Sequence, residues 1–184
     1  SDPLRHLKLQ LVLIKRTLRV SPDQARAELE KLLPEISSLP QQERARLLLF
    51  LAEAARQGQR GGMGSSSRWV PIRFSALNEA IANAKDEPEL RLTAELELIR
   101  LYREEHRDND AVQIAKTALT RKGQVLPQQI VWQLEAERAR SELSMGHSTQ
   151  ALQAFASAFD AAESIRADLP KLDEKGRSWF SQTL

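Results

Sequence analysis

Residues Gly146 to Ala162 read GHSTQALQAFASAFDAA, and the architecture can be worked out from them. Gly146-His147 marks a tight turn, and a capped helix starts at Ser148. Along it Ala151, Phe155 and Ala158 stand four and three residues apart, on one helical face. Alanines either side of one aromatic let a second helix approach closely, with the ring expected to fill the space between. A weaker copy lies at Ala111, Ala115 and Ala118, and a looser one at Ala25, Leu29 and Leu32. The spacing speaks of stacked helices and says little about chemistry.

Composition agrees. The chain has 184 residues, enough for one or two domains with a proper core. Leu, Ala, Gln, Glu and Arg dominate, aromatics make up only 5%, and β-branched residues never alternate over a strand's length. An all-α fold follows. The net charge of +2 is near balance, and no dense basic block is present, so nucleic acid is not an expected partner. Without cysteine the chain has no disulfide, thiolate metal site or cysteine nucleophile. That leaves the compartment open, with the cytoplasm expected over the periplasm. No apolar run reaches the ~20 residues that span a bilayer, so membrane insertion is not expected. Ser1-Asp2-Pro3 is an abrupt beginning, compatible with a removed leader or anchor.

Taken in order, Leu4, Leu7, Leu11, Ile14 and Leu18 form a stripe behind Pro3. Packing against the next helix of the same chain is favoured over a dimer seam. Ser21-Pro22-Asp23-Gln24 reads as a capping box, and Ala25, Leu29, Leu32 and Ile36 line the second helix, which Pro34 should bend or end early. Leu39-Pro40-Gln41-Gln42 opens a third helix carrying Leu47, Leu48, Leu51, Ala52 and Ala55. Residues 58–67, rich in Gly and Ser, read as a surface loop, a composition shared with engineered linkers. No lysine follows those glycines and no strand precedes them, so they are no phosphate cradle. Trp69, Val70 and Ile72 lead into a fourth helix with Phe74, Leu77, Ile81 and Ala84 inward. Pro88 opens a fifth, carrying Leu92, Leu96, Ile99 and Tyr102, and Asp108 or Asn109 caps a sixth. Leu126-Pro127-Gln128-Gln129 repeats the earlier LPQQ and opens a seventh; the eighth is the stretch first quoted. Four antiparallel helix pairs result, each of roughly 40 residues, which should stack because a lone pair cannot bury its apolar face.

At this point the residues resemble a family. Small-x3-large-x2-small on the second helix of each pair is similar to the tetratricopeptide repeat. Leu51-Ala52 with Ala55, Leu98-Ile99 with Tyr102, and Arg138-Ala139 with Glu142 occupy the corresponding first-helix places. The match is clear in the last two pairs, fair in the second and loose in the first. The resemblance implies a right-handed α-solenoid of about four hairpins over residues 1–170. The segment 171–184 would lead to a further domain.

The tail carries a second resemblance. Phe159 to Pro170, then Arg177 to Leu184, looks like the junction at which bacterial repeat proteins continue into a CHAT domain, a caspase-like peptidase. That resemblance implies the regulatory, partner-sensing arm of a larger protein, without the His-Cys dyad and so without activity of its own. An alternative is the extracytoplasmic sensor region of a membrane signalling protein, a diguanylate cyclase or histidine kinase. Such proteins carry similar Leu/Ala-rich repeats, and Ser21 to Ala25 fits their opening pair.

Candidate chemistry is sparse. His6, His106 and His147 lack the spacing of metal ligands, and neither metal nor cofactor is expected. Glu104-Glu105 and Asp108-Asn109-Asp110 are explained by capping and solvation. Trp69, Trp132 and Trp179 read as packing anchors. No pair of groups has catalytic spacing, so an enzyme is not expected. The repeat resemblance implies that first helices line a concave groove. It would display Arg46, Glu53, Arg56 and Gln57, then Arg100, Arg103 and Glu104, then Gln133, Ala136 and Arg140. Five arginines would favour a protein or peptide partner bearing carboxylates, unless they form a solvated face paired with nearby Glu. The family's chaperone-tail clamp is not reproduced, since Leu49 and Glu53 stand where its Lys and Asn would be.

Overall fold

The computed structural model describes residues 3–18, 20–61, 66–121 and 126–168. Among the described residues the protein is all-helical: α1 (Pro3–Thr17), α2 (Pro22–Ser37), α3 (Gln41–Gly61), α4 (Ser66–Asn83), α5 (Pro88–Glu104), α6 (Asp108–Leu119), α7 (Gln128–Ser144) and α8 (Ser148–Asp168). The chain forms two compact units, Ser1–Leu101 and Tyr102–Leu184, with the division falling inside α5.

In the first unit α3 packs along α4, α1 rests on α2 and α3, and α2 touches α3 and α4. The stripes read from the sequence become its core: Leu7, Leu11 and Ile14 on α1 with Leu18 just beyond its end, Ala25, Leu29, Leu32 and Ile36 on α2, and Leu48, Leu51 and Ala55 on α3 are buried. Each fully buried leucine contributes about 1.5–3 kcal/mol relative to exposure. In the second unit α7 lies between α6 and α8 and packs on both.

Several boundaries differ from the sequence reading. α2 runs through Pro34 to Ser37, and α4 starts at Ser66 and runs through Pro71, earlier than the sequence reading placed it. The Gly/Ser-rich stretch is mostly helical, since α3 extends to Gly61 and α4 starts at Ser66; residues 62–65 lie outside the described ones. Gly58 has a packing reason to be glycine, because a Cβ there would stand 2.7 Å from the Trp69 ring and 2.9 Å from Leu18. Trp69 is buried as expected and Trp132 is half-buried, while Trp179 lies outside the described residues. Phe74 and Ile81 are only half-buried. Their places are taken by Ala76, Ala80 and the buried Arg73, whose guanidinium donates to Gln59 at 2.6 Å.

Phe155 is the main correction. It is 39% exposed and does not fill the gap between helices; the buried stripe of α8 is Ala151, Ala154, Ala158 and Ala161. Four methyl-sized side chains let the α7 and α8 backbones approach, whereas a ring in that stripe would hold them apart, so the helix turns the ring outward. Ala111, Ala115 and Ala118 on α6 are buried as expected.

The helix ends also differ in detail. Ser21 occupies the α2 N-cap with Pro22 at N1, but its hydroxyl makes no capping bond. The α6 N-cap is Arg107, not Asp108 or Asn109, whereas α8 starts at Ser148 as read from the sequence, with the His147 carbonyl accepting from Ala151. What organises these turns is the C-terminus of the preceding helix. At the end of α5 the Arg107 N–H reaches the Tyr102 carbonyl and the His106 N–H the Arg103 carbonyl. At the end of α7, His147 and Gly146 bond Glu142 and Leu143 in the same pattern. These are two Schellman caps, forty residues apart. The left-handed residue is Gly146 in one (φ 80°) and His106 in the other (φ 57°). A non-glycine residue is strained there, so His106→Gly is expected to raise stability by about 0.5–1 kcal/mol in chemical denaturation. The same change at the neighbouring helical Glu104 should lower it.

Candidate functional site

The predicted groove residues fall into two sets. In the first unit, Glu53 on α3 accepts from Arg56 at 2.8 Å and from Gln57 at 2.9 Å. Arg56 also lies 3.8 Å from Glu97 on α5, which accepts from Arg100 at 2.6 Å. Glu53, Arg56, Gln57 and Arg100 thus meet in one network whose linking member, Glu97, was absent from the sequence prediction. Arg46 stands apart, donating to Glu87 at 2.7 Å, and that bond raises its already high pKa. In the second unit Arg103 and Arg140 both bond the buried Glu137, the latter at 3.0 Å, and Arg103 comes within 4.0 Å of Asp108. Glu104 is exposed, and Gln133 and Ala136 are half-buried.

A sequence signal for the missing carboxylates exists. Glu53-x-x-Arg56, Glu97-x-x-Arg100 and Glu137-x-x-Arg140 recur on α3, α5 and α7, the last two forty residues apart, and in each the glutamate accepts from the arginine one turn on. All five arginines therefore have a carboxylate partner. Arg46 and Arg140 have the most exposed side chains, 63% and 52%.

Arg46 also borders an apolar cleft of about 340 Å³ between α1 and α3, floored by Leu11, Val12, Leu47 and Phe50, with Lys8 on its other rim. Lys15 stands 4.1 Å from the centre of the Phe50 ring, close enough for cation–π attraction. Two cations over an apolar floor suit a ligand with an apolar body and a carboxylate.

The second unit buries carboxylates on α7. Glu142, 3% exposed, lies 2.9 Å from His147 and 3.1 Å from Lys116, tying the α7–α8 turn and α6 to α7. Burial alone would raise its pKa, but the bonds from His147 and Lys116 outweigh it and hold the carboxyl below its usual range. Glu135 shows the opposite balance: burial raises its pKa, and Arg138, 2.8 Å away but poorly aligned for a hydrogen bond, only partly compensates. A depressed pKa adds stability above the unfolded value that is lost as pH falls through the folded one; a raised pKa costs stability once the group ionises. Glu142→Gln is therefore expected to lose roughly 1–2 kcal/mol at neutral pH, discounted for its half-exposed partners. It should also flatten the acid limb of the stability–pH curve. Glu135→Gln should hold or raise neutral-pH stability. Denaturant midpoints between about pH 3 and 7 test both signs.

His106 is exposed in its turn, whereas His147 is engaged by Glu142. Among the described residues no group of three or more His, Asp or Glu side chains is placed to hold a metal ion, and no helix is long and apolar enough to cross a membrane. Comparison of the chain with protein-family models and with curated proteins returned no match.

Proposed function

We propose that the protein is a non-catalytic interaction module of tetratricopeptide-like type, its helix pairs following the right-handed solenoid arrangement that the repeat spacing implies. The observation that carries this reading is the cleft between α1 and α3, where Lys8 and Arg46 flank an apolar floor. Its partner is a protein or peptide segment with apolar residues and a carboxylate, which takes Arg46 over from Glu87. The Glu-x-x-Arg networks on α3, α5 and α7 keep the remaining arginines charge-paired, so binding depends on exchange of carboxylates and weakens with salt. On the resemblance of residues 159–184 to the CHAT junction, the module would be the regulatory arm of a caspase-like protein; most of that stretch lies outside the described residues.

The test is titration of the full chain with a fluorescent peptide of alternating leucine and glutamate ending in a free carboxylate. Arg46→Ala and Lys8→Ala should each weaken binding about tenfold, as loss of roughly 1.4 kcal/mol requires. Unchanged affinity in both variants would remove the cleft as the binding site.

A further inference from the structure

The forty-residue repeat within the second unit allows its two ends to be compared position by position. α7 is seated on the end of α5 and on α6 through three polar anchors: Arg103 to Glu137, Lys116 to Glu142 at 3.1 Å, and the Ser144 hydroxyl to Asp108 at 2.8 Å. Beside them Val112 and Ala115 are buried, 2% and 0% exposed. Forty residues on, the counterparts of the anchors are Leu143, Ala156 and Ser148, and those of Val112, Ala115 and Leu119 are Leu152, Phe155 and Phe159. Leu143, Leu152, Phe155 and Phe159 are 56%, 70%, 39% and 64% exposed, and they are the large exposed hydrophobic residues among the described part of this unit. The surface that α7 covers at one end of the repeat is thus presented again at the other, with no helix packed over it among the described residues and with all three charges replaced.

We propose that this face of α7 and α8 is a docking seat for an amphipathic helix of a partner protein, which stands to α8 as α7 stands to α6. The exchange of charges specifies the occupant. Acids like Glu137 and Glu142 would be buried there without a cation, so the docking stripe of the partner helix is uncharged. Phe155 and Phe159 are bulky where α6 has Ala115 and Leu119, so the occupant carries small residues opposite them. A second copy of α8 would instead bring rings against rings. The seat does not involve the cleft between α1 and α3 and stands or falls separately.

The probe is a synthetic helix with the α7 sequence, residues 128–144, in which Glu137, Glu142 and Ser144 are replaced by leucine, made helical by a side-chain bridge on its outer face. The unsubstituted peptide, bridged in the same way, is the control. Anisotropy titration of the full chain should show the leucine peptide binding at least about tenfold more tightly than the control. Leu152→Glu or Phe159→Glu in the full chain should abolish that binding while leaving thermal unfolding unchanged. Absence of binding, equal binding of the two peptides, or insensitivity to both glutamate variants overturns the proposal. So does a concentration-dependent dimer in sedimentation equilibrium that Phe159→Glu dissolves, which assigns the face to a second copy. Binding that emerges only after Trp179→Ser and Phe180→Ser assigns it to the chain's own last residues and equally overturns it.

Discussion

Trp69→Ala is expected to destabilise the first unit by about 3–5 kcal/mol, the largest effect of any single truncation among the described residues. Trp69 heads the largest side chains buried to within 2% exposure, and it lies against Gly58 of α3, which Leu18 also approaches. Gly58→Ala should also be harmful, although alanine is the better helix former by about 1 kcal/mol. Its methyl would sit 2.7 Å from the ring, with Leu18 at 2.9 Å blocking retreat. Overpacking of this kind costs about 1–3 kcal/mol, enough to outweigh the propensity gain. The two changes should not add. Once the indole is gone, the methyl at position 58 enters vacated space, and Gly58→Ala should then stabilise by about 1 kcal/mol. A double-mutant cycle by urea denaturation reads this reversal of sign. Additive losses would mean that Gly58 is not glycine for the sake of the ring.

Those two residues also show where the sequence could be read and where it could not. The stripes of α1 and α2 follow directly from spacing, because each helix has one apolar face and one direction in which to bury it. Gly58 sits in a run whose composition signals a loop, and only the ring contributed by α4 turns that glycine into a helix contact. The cap residues misled for a related reason: Ser, Asp and Asn near a helix start suggest N-caps. At both turns of the second unit the geometry is instead fixed by the preceding helix end, through left-handed His106 and Gly146. The residues named for the groove fall into two networks. Arg56 and Arg100 do share a network, as do Arg103 and Arg140, but the carboxylates that organise them, Glu97 and Glu137, look in sequence like ordinary helix-surface glutamates. Their recurrence at one register was the available clue.

Ala154→Leu is expected to cost about 1–3 kcal/mol, and Phe155→Ala, its neighbour, no more than about 1 kcal/mol. A reading from residue types would reverse the order, since phenylalanine is normally the core residue and alanine the tolerant one. Position decides otherwise. Ala154 is completely buried, and an added isobutyl group must push the α8 backbone off α7 along the stripe Ala151, Ala154, Ala158 and Ala161. Phe155 keeps over a third of its surface in water, and Phe159 and Leu152 keep about two-thirds, so their truncation forfeits little packing. Circular-dichroism melts of Ala154→Leu, Phe155→Ala and Leu152→Ser rank the three positions. A large loss at Phe155 with none at Ala154 would mean that the ring, and not the alanine stripe, joins α8 to α7. It would also withdraw the outer face of α8 from any role in docking, because a ring needed to hold the hairpin together is not free to receive a second helix.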